Sequence, residues 1–424
     1  MTLWNQKYHD KYKVYTLYGK TLIPDRYKES WKKVKANKGS AGIDRVTIGM
    51  FERQLDQHIR TIIRSLRNKT YKPTSVKRVE IGKPGSNKKR PLGIPTVRDR
   101  LVQQVLKELL EPIFDLIFSE YSYGYRPNKS AHDAIKQAEK YSKQSYWVID
   151  ADIKGFFDNV NHNILLDMVN EKVSDGSILR LIRRFLESGA IKQGEYTPTD
   201  IGTPQGGVIS PLLANIYLNH LDRRLEERGY KFVRYADDFL VFCNTKKEAE
   251  HGLQFIQHVL EKELKLNLNM DKTNISYVSN KFDEHGNRRP ERRDVEFLGF
   301  RMNKYRVNPS DKSIKRLKDK IRQETRRCWS RPVDEMINGI NQITRGWGNY
   351  FKHSATKVLF SKLDTWIRMR IRMNLGKRKV RNIRINKRYT FISYYTHPNI
   401  NLLDMGLITL SQVAGYPPVP CKRA

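Results

Sequence analysis

The chain has 424 residues and a mass of 49.9 kDa, with 80 Lys and Arg against 45 Asp and Glu, a formal charge of +35 and a pI near 10.0. That length exceeds one typical domain, and that charge points to a polyanionic partner. No run approaches the roughly 18 unbroken apolar residues of a membrane span, and three scattered cysteines, Cys243, Cys328 and Cys421, argue against a disulfide framework and against structural zinc.

At the N-terminus, MTLWNQKYHDKYKVY is too polar for a signal peptide, so a soluble, cytoplasmic protein is expected. The stretch SYWVIDADIKGFFDNVNH (145–162) opens as an alternating apolar strand and breaks at Gly155. Asp150 and Asp152 then share one face at period two, and Asp158 is expected to cap a helix starting near His162. In TDIGTPQGGVISPLLANIYLNHLDRRL, Gly202, Gly206 and Gly207 permit close backbone approach before a helix that begins near Ser210-Pro211. By itself such a glycine-rich segment is a weak signal.

VRYADDFLVF (233–242) reads as a short hairpin tipped by Asp237 and Asp238. One Asp at a turn needs no special reason. Two adjacent carboxylates among residues that exclude water repel each other unless a cation lies between them, which makes a divalent-metal site plausible. Either Asp150 or Asp152 could supply the third carboxylate.

Further on, Ile314, Leu317 and Ile321, then Ile337, Ile340 and Trp347, then Leu363, Trp366 and Ile367 fall at helical spacings. Three helices are expected, with their aromatic residues in the core. From Ser313 to Ala424 there are 24 Lys and Arg against 6 Asp and Glu, an excess of 18, and no acid occurs between Thr365 and Leu403. A merely solvated surface usually mixes both signs, so this end is expected to grip phosphate backbones.

In chain order, RPLGIPTVRDRLVQ (90–103), YGYRPNKSAHDAI (123–135), DIKGFFD (152–158), GTPQGGVISPLLANIYL (202–218), RYADDFLVF (234–242), LNMDKT (268–273) and EFLGF (296–300) resemble the ordered blocks of reverse transcriptases. They are most similar to those encoded by bacterial group II introns. GSAGIDRVTIGMF (39–51) is similar to the family's N-terminal extension, and RGWGNYF (345–351) to its maturase thumb, so the resemblance covers roughly residues 30 to 375.

This resemblance implies an α+β right-hand polymerase with fingers and palm built on antiparallel sheet and a helical thumb. Its divisions would be an N-terminal extension at 1–70, fingers and palm at 71–305, thumb or maturase domain at 306–376, and a basic nucleic-acid-binding segment at 377–424. Asp152 rather than Asp150 would match the first metal-binding Asp, joined by Asp237, Asp238 and the Ile153 carbonyl around two Mg²⁺ ions, for which Mn²⁺ can substitute. Phe157 would sit against the sugar and exclude a 2′-hydroxyl, with Phe156 in the core. Gln205 would line the incoming nucleotide. Arg90 and Lys83 would meet its triphosphate, a task suited to Arg and open also to Lys88 or Lys89. Lys272 would protonate the departing pyrophosphate, and Gly299 would give EFLGF the tight turn of a primer grip.

The implied partners are an RNA template, a DNA primer, dNTPs and the parent intron RNA, the last held by Lys377, Arg378, Lys379, Arg381, Arg384, Lys387 and Arg388. No membrane partner is expected. Longer family members carry a Cys/His-rich endonuclease module beyond the thumb; His397 and Cys421 alone cannot build one. The expected function is RNA-directed DNA synthesis combined with maturase binding of intron RNA. The alternatives are a relative recruited to defence or repair and an RNA-dependent RNA polymerase, and Phe157 counts against the latter.

Overall fold

The computed structural model describes residues 13–82, 89–192, 195–197, 201–202, 206–280, 292–326, 331–354, 356–379 and 399–416. The chain divides into two compact units, one ending at Arg292 and the other beginning at Arg293.

The first unit opens with helices α1 (Pro24–Ala36), α2 (Ile48–Glu52) and α3 (Leu55–Arg67). Ile59, Ile62, Ile63 and Leu66 recur at i, i+3, i+4 and i+7 along α3, and all four are buried. That stripe is why a segment rich in Arg and Gln holds to the core. Strands β1 (Val76–Gly82) and β2 (Lys89–Ile94) pair antiparallel, with Ile81 opposite Arg90. Helices α4 (Val97–Phe114) and α5 (Ala131–Gln144) lead into β3 (Trp147–Ala151). A short helix α6 (Phe156–Asn159), helices α7 (His162–Lys172) and α8 (Gly176–Leu186), and strands β4 (Ala190–Lys192) and β5 (Glu195–Thr197) follow. The strand order β2-β1-β4-β5 makes the fingers sheet, whose β1 and β4 run parallel.

Helix α9 (Ser210–Glu227) starts with Pro in its first turn, as the sequence suggests. It precedes the hairpin of β6 (Lys231–Tyr235) and β7 (Asp238–Cys243), then α10 (Lys246–His258) and β8 (Asn274–Tyr277). Four antiparallel strands in the order β6-β7-β3-β8 form the palm sheet. Phe239 to Cys243 are all buried, the mark of a strand covered on both faces. Phe239, Val241 and Cys243 join Ile149, Tyr217, Leu221, Ile256 and Leu260 in one core, each large apolar side chain contributing about 1.5–3 kcal/mol on burial. The sheet is thus a rigid platform for whatever its strand ends carry.

The second unit begins with an antiparallel sheet of β9 (Val295–Phe297), β10 (Phe300–Met302) and β11 (Val307–Pro309). Helices α11 (Asp311–Glu324), α12 (Val333–Phe351) and α13 (Lys357–Lys379) follow. Leu317, Ile321, Ile337, Ile340, Leu363 and Ile367 are buried, as their spacing requires. Trp366, expected in the core, instead lies half-buried with the Lys318 and Arg322 cations over its ring, each 5.6 Å from the ring centre. Cation–π attraction accounts for that position.

Helices α14 (Asn399–Asp404) and α15 (Leu410–Val413) follow, and α15 packs on α12 and α13. The Asp364 carboxylate accepts the Leu410 and Ser411 amides at 2.7 and 3.0 Å and the Ser411 hydroxyl at 2.6 Å. The sequence reading places 377–424 in one basic binding segment. Residues 399–416 instead close the helical unit, because Leu402, Leu407 and Leu410 have an apolar surface to bury.

Candidate active site

The β6–β7 hairpin turns in two residues, with Tyr235 and Asp238 as its closing pair. Asp237 therefore sits in the turn and Asp238 begins β7. Ala236, first in the turn, has φ +58°, a left-handed conformation that tight hairpins favour and that costs an L-residue about 1–2 kcal/mol. Something must hold it. Gly124 of the YGYRP loop backs directly onto Ala236, where a Cβ would overlap its amide nitrogen, and Arg234 is fully buried beneath the turn.

Asp152 follows the last residue of β3, the strand paired to β7 with Ala151 opposite Phe239. Pairing thus brings Asp152 to the end of the sheet that carries the turn. Its Oδ2 accepts from Lys272 Nζ at 2.7 Å and Asn269 Nδ2 at 2.8 Å, and its carbonyl accepts the Asn269 amide at 2.8 Å. Ile153 bridges Leu268 through the flanking bonds Lys154 N to Asn267 O and Asn269 N to Asp152 O, so its own carbonyl takes no part in the bridge.

Burial raises the Asp237 carboxyl above its usual range, with the Asp152 charge acting the same way. Burial, then the charges of Asp237 and Asp152, push Asp238 up to about 6. Three hard oxygen donors that repel one another suit a divalent cation. As they stand they are not closed around one: among the described residues no three His, Cys, Asp or Glu side chains are arranged to hold a metal. The Lys272 ammonium supplies positive charge at Asp152 instead.

Phe157, on α6, is half-buried and packs edge-on to Phe156 with ring centres 5.2 Å apart, while Phe156 is core. Gly202 lies against the backbone just beyond it: at φ +95°, a Cβ there would stand 2.8 Å from the carbonyl oxygens of Phe157 and Asp158. Gly206, at φ +116°, would drive a Cβ into the Gly93 carbonyl of β2. Gln205 lies outside the described residues, but the ends of its loop are pinned to α6 and to β2, the strand that carries Arg90. Arg90 is described by its backbone alone, and Lys83 and Lys88 lie outside the description. Lys89 is exposed, 3.5 Å from Glu80.

Within the second unit, Leu298 and Gly299 take φ +49° and +80° between the paired Phe297 and Phe300. Both turn residues in the left-handed region make a type I′ turn. Tyr350 Oη donates to the Leu298 carbonyl at 2.9 Å, and Ser313 Oγ to that of Gly299 at 2.9 Å. Lys377, Arg378 and Lys379 end α13, and Arg381, Arg384, Lys387 and Arg388 lie outside the described residues.

Asp158 does not cap α7. Asn161 does, accepting the amides of Asn163 and Ile164 at 3.0 and 3.1 Å, because Asp158 is already wound into α6. Two residues escaped the sequence reading: Asn269, although it stands inside LNMDKT, and Arg234, whose only signal is a charge within an apolar strand.

A family model described as reverse transcriptase (RNA-dependent DNA polymerase) matches residues 81–302, and one described as the group II intron maturase-specific domain matches 314–390. The group II intron-encoded protein LtrA of Lactococcus lactis subsp. cremoris is 37% identical over 250 residues, 58% of this chain and 41% of LtrA. Protein YkfC of Escherichia coli is 34% identical over 306 residues, 62% of this chain and 80% of YkfC. Among solved structures, a partial Cas6-RT-Cas1–Cas2 complex aligns with a TM-score of 0.38 and 27% identity over 58% of this chain and 43% of that one. This chain spans less than half the length of LtrA.

Proposed function

Because this chain belongs to the reverse transcriptases and carries the maturase-specific domain of group II intron proteins, we propose that it is an RNA-directed DNA polymerase that also binds intron RNA as a maturase. The observation that carries the polymerase reading is the meeting of Asp152, Asp237, Asp238 and Lys272 at one end of the palm sheet, where burial and the Asp152 charge raise Asp237, and burial with the charges of Asp237 and Asp152 raises Asp238. A purely structural cluster has no need of that mutual repulsion.

Asp152, Asp237 and Asp238 fit two Mg²⁺ ions by donor chemistry, with the Ile153 carbonyl as a further oxygen, once Asp152 exchanges its Lys272 partner. When bound, the metal supplies Lewis-acid activation of a hydroxyl and charge neutralisation at a leaving group. The primer 3′-hydroxyl gives up its proton to water as its oxygen forms a bond to the α-phosphorus of the dNTP, the bond from that phosphorus to the bridging oxygen breaks, and pyrophosphate leaves. Lys272, freed from Asp152, offers the proton at Nζ to the pyrophosphate oxygen. Phe157 walls the sugar, and Gln205, from the loop whose ends are pinned at Gly202 and Gly206, lines the incoming nucleotide. Arg90 and Lys83 meet the triphosphate. The maturase reading follows from the match over 314–390, which includes the acid-free basic stretch through Arg388.

Extension of oligo(dT) on poly(rA) with dTTP and Mg²⁺ tests the polymerase reading. Asp237→Ala should lower the rate by about 10²- to 10³-fold or more, the usual cost of removing one charge-stabilising group. Extension at the wild-type rate would remove the turn from the chemistry.

A further inference from the structure

We infer that Arg234 is a positioning residue for the catalytic turn: clamped by Asp222 and Asn215, its guanidinium fixes the peptide that precedes Asp237. This rests on the polymerase reading of that turn. Arg234 and Asp222 are both 0% exposed, and Asn215 is 1% exposed. Arg234 Nε and Nη2 donate to the two Asp222 carboxylate oxygens at 2.7 and 2.6 Å. Nη1 donates to Asn215 Oδ1 at 3.1 Å and to the Ala236 carbonyl at 2.9 Å. Asn215 Nδ2 in turn donates to the Gly124 carbonyl at 2.8 Å, so the loop that backs onto Ala236 hangs from the same network.

The arrangement reaches the turn from three sides. Asn215 and Asp222 stand seven residues apart on one face of α9, the helix that follows the Gln205 loop. Arg234 belongs to β6, and its backbone amide and carbonyl bond to Tyr121 and Tyr123, on either side of Ser122. Ala236, in its left-handed conformation, is where helix, strand and loop converge. Its carbonyl belongs to the peptide bond made with Asp237, so the direction of that carbonyl sets where the first aspartate points.

Stability alone gives a weak reason for this network. A fully buried ion pair is commonly no more stabilising than apolar residues of the same volume. A planar guanidinium does what apolar side chains cannot, since it ties three acceptors in one fixed fork. That property suits the placing of a backbone turn.

The test replaces the whole pair by apolar side chains, as Asp222→Leu with Arg234→Met, and compares it with wild type in three ways. These are thermal unfolding, amide hydrogen exchange across 233–240 in protein free of metal and substrate, and kcat and KM for primer extension. The double variant should stay folded with a Tm lowered by several degrees, because the Asn215 Oδ1 and Ala236 carbonyl lose their donor, exchange about tenfold or more faster at Ala236 to Asp238, and lose about 100-fold in kcat at unchanged template–primer KM. A folded double variant with wild-type exchange and wild-type kcat overturns the inference. Should the double variant not fold, Arg234→Lys keeps the charge on Asp222 but loses the fork; faster exchange and lower kcat support the inference, and wild-type values of both overturn it. If no chain extends a primer, wild type included, the polymerase reading has failed and exchange alone decides the positioning role.

Discussion

Asp238, pushed up to about 6 by burial and by the charges of Asp237 and Asp152, makes the strain within the acid cluster measurable. Between about pH 4 and about pH 6 the folded chain holds a proton that the unfolded chain has released, so stability falls as pH rises through that window. The loss is complete above about pH 6 and absent below the unfolded value. In metal-free buffer Tm should therefore decline more steeply over this window in wild type than in Asp238→Asn. Superimposable profiles would show that the carboxyl is not crowded. Phe157 poses a different question, because its half-buried ring packs against the core and is proposed also to wall the sugar. Phe157→Ala should admit rUTP on poly(rA) while dTTP incorporation stays measurable. If discrimination between rUTP and dTTP is unchanged, Phe157 is packing alone.

Among the elements, the loop between β5 and α9 depends on two glycines held by backbone rather than by side chains. At Gly206 a methyl group would meet both a positive φ and the Gly93 carbonyl, which cannot yield as a flexible side chain can. Gly206→Ala should therefore raise the KM for dTTP about tenfold or more and cost roughly 1–3 kcal/mol of stability, read from steady-state extension and denaturant unfolding. A variant with wild-type KM would detach this loop from nucleotide binding. The hairpin, the strand before Asp152, the start of α9 and the thumb stripes were legible because each rests on a local pattern of two or 3.6 residues. The choice of Asp152 over Asp150 rests on resemblance alone: spacing puts both on one face, and the Asp152 partners Asn269 and Lys272 lie more than a hundred residues away. The clamp of Asp222, Asn215 and Arg234 was hidden for the same reason, since its members are unremarkable until helix and strand meet. Likewise 399–416 reads as tail because its few leucines gain meaning only against α12 and α13.

For the whole molecule, the charge excess of the last 112 residues separates two tasks that one chain would perform. The first unit holds the acids expected to make the phosphodiester bond. The maturase-specific match and the basic stretch through Arg388 belong to the second. If the stretch grips RNA backbone, each phosphate contact contributes about 0.7 to 0.9 to the log–log salt slope of binding. The most direct measurement is a salt titration of intron RNA binding run beside short-duplex extension at low salt, for wild type and for a chain with Lys379, Arg381, Arg384 and Lys387 all changed to Gln. The slope should flatten by about 3 and intron affinity should fall, with extension nearly intact. An unchanged slope with intact affinity, or a loss of binding and extension in equal measure, would contradict the division of the chain into a polymerase and a separate RNA-gripping surface.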